Sequence, residues 1–106
     1  MSRRDARRHI FNLMFQNEFN REINTHENFE RKDILFIKNE YTGILDNVEK
    51  IDSIIDKFSI GWSVDRLSTV DKAILRIAVY EIMFDDDIPN KVSVNEAVEL
   101  AKEFSE

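Results

Sequence analysis

Cysteine is absent from this 106-residue chain, and turn-forming residues are scarce, with two glycines and one proline. Without cysteine the chain can form no disulfide, no thiolate zinc site and no cysteine nucleophile. An all-β fold needs frequent turns, so this composition disfavours it and favours long helices. A chain of this length fits one domain with a hydrophobic core of its own.

Long hydrophobic runs are missing as well. No segment approaches the roughly 18 consecutive apolar residues that cross a bilayer. The first residues are polar and rich in arginine, and no apolar signal region follows them. We therefore expect a cytoplasmic protein that binds no membrane.

Apolar residues recur at spacings of three and four, which is the spacing of one face of an α-helix. This spacing predicts helices over about residues 3–21, over 34–58, from Ser68 to about Phe84 and from Val94 to about Phe104. The second stretch is either one helix or two helices separated at Asp46 and Asn47, since both residues prefer helix ends. A surface loop is predicted over residues 24–28, which contain no apolar side chain.

The same pattern predicts which side chains face a core and where helices begin. Capping boxes are predicted for Ser2 with Asp5, for Ser68 with Asp71 and for Ser93 with Glu96. Gly61 is expected to end the second stretch, before a connector that begins at Trp62. The side chains expected to face inward include Ile34, Ile37, Tyr41, Ile44, Val48, Ile51, Ile55, Phe58, Val70, Ile74, Ile77, Ala78, Ile82, Val94, Ala97, Val98, Ala101 and Phe104.

The net charge of −6 disfavours a nucleic-acid ligand, but the charge is unevenly distributed. Arg3, Arg4, Arg7 and Arg8 against Asp5 give +3 in the first eight residues, so the other 98 residues carry −9. An acidic body with one basic end favours an anionic ligand at that end and weak binding of nucleic acid elsewhere.

On a helix the four arginines share a direction with apolar residues such as Ile10 and Met14. Burying unpaired guanidinium groups is costly, so we expect the first two turns to project beyond the bundle and hold the arginines in water. Arginine forks match phosphate oxygens and stack on unpaired bases, which predicts an RNA ligand. The alternative is a frayed, solvated N-terminus whose arginines pair with the acidic body, and charge pattern alone does not separate the two.

The sequence offers little to catalysis or to metal binding. Asp85, Asp86 and Asp87 lack the ligand spacing and glycine of a calcium loop. His9 and His26 have no second imidazole at helix spacing, and His9 is better interpreted as an extension of the basic end. There is no glycine-rich phosphate loop. We expect no enzyme activity, no metal and no cofactor.

Two blocks of the sequence resemble the NusB transcription antitermination family. The first is the opening SRRDARRHIFNLMF, and the second covers residues 62–104, with the DRLS turn, the KAILRIAVYE helix, the DIP turn and the NEAVELAK helix. The resemblance implies an all-α fold of two perpendicular small bundles within one domain, over about residues 1–60 and 62–106, the second incomplete. It also implies a non-enzymatic factor in the transcription elongation complex, which binds single-stranded boxA-type RNA of nascent ribosomal transcripts together with ribosomal protein NusE.

Site residues follow from the resemblance position by position. The arginine-rich motif of the family contacts RNA, which carries over to Arg3, Arg4 and Arg7. Arg8 is a further candidate, although relatives often have an acid there and a base at the position of Asp5. On the helix after the second capping box, Asp71 is a candidate contact with NusE, and its main role from the sequence is the capping box. The candidates that would extend the RNA surface are Lys72 and Arg76.

Members of the family continue past the AKEF segment with a further helix. A chain without that helix would expose apolar surface on its neighbours, which predicts a homodimer. Two other functions stay open, namely the NusB-like RNA-binding domain of an rRNA methyltransferase and a helical protein-interaction module.

Overall fold

The computed structural model describes residues 2–16, 30–59 and 63–105. In these ranges the helices are α1 (Arg3–Gln16), α2 (Arg31–Asp46), α3 (Val48–Phe58), α4 (Thr69–Phe84) and α5 (Asn90–Phe104), with a short 3-10 turn at Val64–Arg66. The predicted all-α fold is confirmed. The predicted loop over 24–28, the end of the first helix beyond Gln16, and Gly61 with Trp62 lie outside the described residues.

Two of the predicted capping boxes mark the starts of helices, and the first of them has both of its hydrogen bonds. The Ser2 hydroxyl accepts a hydrogen bond from the Asp5 amide at 3.1 Å, and the Asp5 carboxylate accepts one from the Ser2 amide at 3.2 Å. At α4 the Ser68 hydroxyl accepts from the Asp71 amide at 3.1 Å. The Asp71 carboxylate accepts instead from the Ser105 hydroxyl at 2.7 Å, which ties the start of α4 to the end of α5.

The long apolar stretch divides into α2 and α3 at Asn47. The Asn47 side-chain amide donates to the Gly43 carbonyl at 2.8 Å, and its backbone amide donates to the same carbonyl at 3.1 Å. Asparagine competes in this way with the regular helix ladder, which is why it favours helix ends. Of the two alternatives left open by the sequence, the structure has two helices.

Helix α4 is the centre of the fold, since it packs against α1, α2, α3 and α5. The buried side chains on these helices include Ala6, Ile10, Phe11, Ile37, Ile44, Ile51, Ile74, Ile77 and Leu100. Most of the predicted inward face of α2, α3 and α4 is thereby confirmed. None of the helices in the described ranges has both the length and the hydropathy to span a membrane.

Several residues predicted to face inward are exposed. Phe58 is 73% exposed at the last position of α3, and Ile82 on α4 is 37% exposed. On α5 the prediction of Val94 and Val98 is wrong, because both are about half exposed and Leu100 is the buried residue. A periodic pattern shows which side chains share a face, but it does not show how far a neighbouring helix covers that face.

The predicted start of α5 is also wrong. The helix begins at Asn90, directly after Pro89, and Ser93 lies inside it rather than at its cap. The Ser93 hydroxyl is buried and donates to a Glu81 carboxylate oxygen at 2.9 Å. Proline fixes its own φ near the helical value, so it can precede the first helical residue without strain. The capping preference of Ser93 is overridden by this buried hydrogen bond.

Gly43 on α2 allows α4 to approach closely. A Cβ at this position would lie 2.7 Å from Cε1 of Tyr80 and closer still to the Tyr80 hydroxyl. We predict that Gly43→Ala lowers the free energy of unfolding by about 1–3 kcal/mol, despite the better helix propensity of alanine, because the clash overpacks the α2–α4 contact. Urea unfolding measures this, with the exposed neighbour variant Thr42→Ala as control. Equal stability of the two variants would contradict the close approach.

Candidate nucleic-acid interface

Helix α1 does not project beyond the bundle. It packs against α2 and α4 along its length, and the Arg7 side chain is 4% exposed. The expectation that the first two turns hold all four arginines in water is therefore wrong. The reason is that α4 and α5 supply carboxylates at the right places, and a buried guanidinium group is tolerated when it is paired and hydrogen-bonded.

Arg7 is the centre of a buried polar cluster. Its Nε donates to Glu81 Oε2 at 2.8 Å and its Nη2 to Glu81 Oε1 at 2.9 Å, so the ion pair is bidentate. The Ser93 hydroxyl donates to the same Oε1, and Arg7 Nη1 lies 3.7 Å from Glu96 Oε1. One guanidinium group thus connects α1 to both α4 and α5.

Arg4 and Arg8 lie at the surface, and each binds an acid of α5. Arg4 pairs with Glu96 through bonds of 3.0 and 2.8 Å, and it remains 51% exposed. Arg8 donates to Glu103 at 2.7 Å and to Asp5 at 2.8 Å, and it remains 39% exposed. The hydrogen bond from Arg4 lowers the pKa of the Glu96 carboxyl group below its usual value. The two acids of α5 that bind Arg4 and Arg8 therefore compete with any anionic ligand for these arginines.

Arg3 has an aromatic partner, and within the described ranges it makes no ion pair with an acid. Its guanidinium carbon lies 3.9 Å from the centre of the Phe36 ring on α2, and the residue is exposed. This is the geometry of a cation–π contact. It orients the guanidinium group, and none of its five N–H donors bonds to a side chain of the described residues.

The arginines line a cleft of about 180 Å³ between α1 and α5. Arg4, Arg7, Arg8 and Lys102 supply positive charge there, and the acids are Glu96, Glu99 and Glu103. The face is therefore of mixed sign and not uniformly basic. The alternative in which the arginines pair with the acidic body is confirmed for Arg4, Arg7 and Arg8, but α1 is helical from Arg3 onward and not frayed. His9, expected to extend the basic end, is half-buried.

The candidates on α4 fall in two places. Asp71 lies at the end of α5, where its carboxylate accepts a hydrogen bond from Ser105, two residues after Glu103, the partner of Arg8. Arg76 faces α3, where it makes a bidentate pair with Asp52 at 2.8 and 2.6 Å. The structure thus ties Asp71 to the end of α5 and places Arg76 beside α3, and neither residue lines the arginine cleft. Lys72 is half-buried one residue after Asp71.

Sequence reasoning missed the acidic partners of the arginines. Glu96, Glu99 and Glu103 follow one another on α5 at spacings of three and four, which puts them on one helix face. Arg4 and Arg8 are four residues apart on α1 and form a matching row. These two rows of opposite charge could have indicated ion pairs between α1 and α5, although only the packing shows that the two rows meet.

Residues 2–106 match the model of the NusB family. The chain belongs to the NusB family. It is 44% identical to the transcription antitermination protein NusB of Clostridium novyi, over 99% of this chain and 86% of that protein. It is also 44% identical to the protein of that name from Natranaerobius thermophilus, over 99% of this chain and 84% of the relative.

The fold of a solved NusB agrees with this assignment. The structure of T. maritima NusB superposes with a TM-score of 0.89 at 34% identity, over 100% of this chain and 80% of that one. The NusB fold inferred from the sequence is thereby confirmed. NusB proteins are antitermination factors and not enzymes, so the expectation of a non-enzymatic protein is confirmed by family membership.

The buried Arg7–Glu81 pair generates a prediction about stability. Arg7→Met leaves the Glu81 carboxylate buried without a counter-charge, and we expect a loss of about 3–5 kcal/mol in the free energy of unfolding. The matched substitution Arg8→Met removes a surface pair and is expected to cost at most about 1 kcal/mol. The double variant Arg7→Met with Glu81→Met removes both charges and recovers much of the loss. Urea unfolding of the three variants measures these differences, and equal losses for Arg7→Met and Arg8→Met would refute the assignment.

Proposed function

We propose that this NusB family member is a non-enzymatic RNA-binding transcription antitermination factor, which binds boxA-type RNA of nascent ribosomal transcripts together with ribosomal protein NusE. The observation that carries the proposal is the row of partly exposed guanidinium groups of Arg3, Arg4 and Arg8 along the start of α1. The relatives, which are transcription antitermination proteins by name, support it over a methyltransferase domain or an interaction module without RNA.

The three exposed arginines suit phosphate and base recognition in different ways. Arg4 donates to both carboxylate oxygens of Glu96, and Arg8 donates to the carboxylates of Glu103 and Asp5. The oxygens of a phosphate group can accept the same pairs of hydrogen bonds. The guanidinium carbon of Arg3 lies 3.9 Å from the centre of an aromatic ring, and guanidinium groups also stack on unpaired bases. Arg7 is assigned a positioning role, because its side chain is buried and its fork is filled by Glu81.

The proposal also assigns roles to three residues of α4. Asp71 is proposed to contact NusE, at the end of α5 that adjoins Arg8. Lys72 and Arg76 are proposed to extend the RNA surface along α4. Arg76 must first exchange its Asp52 partner, which makes it the weaker contact. The protein is proposed to act in the cytoplasm.

A homodimer also belongs to this proposal. Val92, Val94 and Val98 are each 41–50% exposed on α5. A second copy that covered these side chains would remove apolar surface from water, which is the main favourable contribution to association.

Neutralising the exposed arginines tests RNA binding. The triple variant Arg3→Gln, Arg4→Gln, Arg8→Gln is expected to bind a single-stranded boxA-like RNA at least tenfold more weakly. The slope of the logarithm of the binding constant against the logarithm of the salt concentration should become less steep by about 2. Each phosphate contact on a single strand contributes about 0.7 to that slope, and the variant loses three such contacts. Fluorescence anisotropy at several salt concentrations measures both quantities. The control variant Lys50→Gln, Lys57→Gln, Arg66→Gln changes the net charge equally on α3 and the 3-10 turn. Equal effects of the two variants would mean that only net charge matters, and an unchanged affinity of the first would reject the proposal.

Removing the acidic competitors should have the opposite effect. In the variant Glu96→Gln, Glu103→Gln the arginines keep neutral hydrogen-bond acceptors, which a phosphate group displaces more easily than carboxylates. We expect RNA affinity to rise by about tenfold in the same assay, since charge-assisted bonds contribute on the order of 1 kcal/mol more than neutral ones. The variant Glu49→Gln, Asp65→Asn removes two exposed acids elsewhere and is expected to change affinity by less than about twofold at the Debye length of physiological salt. An unchanged affinity for the first variant would show that RNA does not compete with α5.

A further inference from the structure

Aromatic rings continue the row of arginines along α1. Phe11 and Phe15 follow Arg4 and Arg8 at helical spacings of three and four, so the four residues share one direction on the helix. The Phe11 ring is buried and stacks on Phe104 of α5, with 4.5 Å between the ring centres and 18° between the planes. On α1 the Phe15 ring lies 5.9 Å from Phe11 at 15°. The three rings form one nearly parallel stack between α5 and α1.

The Phe15 ring ends this stack in contact with water. It is 46% exposed, whereas Phe11 is 3% exposed. A single exposed apolar side chain is common on protein surfaces and does not by itself indicate a ligand. Phe58 on α3 is such a side chain, with no stacked ring among the described residues. Phe15 differs from it in two ways, because its ring is oriented by a neighbouring ring and because it lies on the face that carries the exposed arginines.

We propose that Phe15 is a stacking platform for an unpaired base of the RNA strand whose phosphates bind Arg4 and Arg8. This inference rests on the RNA-binding function proposed above. Every nucleobase has a π-face, and stacking on aromatic side chains is a common way of holding single-stranded RNA. A ring that is already oriented loses little conformational entropy when a base stacks on it. A base is favoured over an apolar protein segment because the same row presents guanidinium groups, which match the phosphates of a nucleic-acid strand.

The spacing along α1 suits a single strand. Arg8 and Phe15 are seven residues apart, which corresponds to about 10 Å along the helix axis. Stacked nucleotides advance by about 3.4 Å each, so about three nucleotides separate a phosphate on Arg8 from a base on Phe15. In a duplex the bases are paired and stacked inside, where a protein ring does not reach their faces. The platform therefore gives a preference for unpaired RNA, which contacts of arginine with phosphates do not provide by themselves.

The test uses a single-stranded boxA-like RNA that carries the fluorescent base 2-aminopurine at one position at a time, titrated into the full chain. We expect the fluorescence of one position, or of two adjacent positions, to change on binding, because stacking on a ring alters the emission of this base. Phe15→Leu keeps an apolar side chain without a π-face, and it is expected to lose this change and to bind about tenfold more weakly. Phe15→Trp should retain both. The slope of the salt dependence should stay the same in Phe15→Leu, since no phosphate contact is lost.

A change in the RNA provides a second measurement that leaves the protein intact. An abasic nucleotide at the position found with 2-aminopurine should weaken binding to the parent chain about as much as Phe15→Leu does. Combined with Phe15→Leu, the abasic RNA should bind no more weakly than with either change alone, because both remove the same contact. Additive losses, or an abasic RNA that binds the parent as well as the intact RNA does, would overturn the inference.

The control variant Phe58→Leu removes an exposed ring on α3 and should bind as the parent does. Equal losses in Phe15→Leu and Phe15→Trp would show that the ring matters for packing and not for stacking, and would refute the platform. RNA binding that depends on Arg3, Arg4 and Arg8 but not on Phe15 would overturn this inference and leave the proposed function standing. A parent chain that binds no RNA would overturn both.

Discussion

The bidentate pair between Arg7 and Glu81 is the interaction on which the arginine end of the molecule depends. A guanidinium group inside a helical core is stable only when acceptors fill its fork, and here α4 provides the carboxylate while Ser93 of α5 completes the hydrogen bonds of that carboxylate. Three helices therefore share one polar cluster. The pair fixes the rotation of α1, and this rotation decides where every other arginine of the helix lies.

With α1 held in this way, the remaining arginines form an ordered surface rather than a flexible basic tail. Arg4 and Arg8 bind acids of α5, and Arg3 contacts the Phe36 ring of α2. Pre-oriented side chains lose less conformational entropy when a ligand binds. The acids of α5 act in the other direction, because an RNA phosphate must displace them. The balance favours ligands that satisfy several guanidinium groups at once over isolated anions.

Two clefts lie beside the N-terminal end of α1, and each is lined by side chains of both charge signs. On one side three arginines of α1 meet the acids of α5. On the other side a cleft of about 430 Å³ contains Arg3 and Lys32 together with the acids Glu40, Asp85 and Asp87. Arg3 and its Phe36 partner lie between the two. The overall net charge of −6 limits binding of nucleic acid outside the arginine end.

The sequence by itself determined the all-α class, the capping boxes at Ser2 and Ser68, most of the buried faces of α2, α3 and α4, and the family. These features are local, because helix periodicity and caps involve residues within four positions of one another. Only the tertiary structure decided the burial of Arg7, the true start and buried face of α5, and the exposure of Phe58. Each of these depends on a partner far away in sequence, such as Glu81 for Arg7 and for Ser93. A charged side chain on a given helix face can be buried or exposed. It is buried only where the packing of another helix brings a counter-charge next to it.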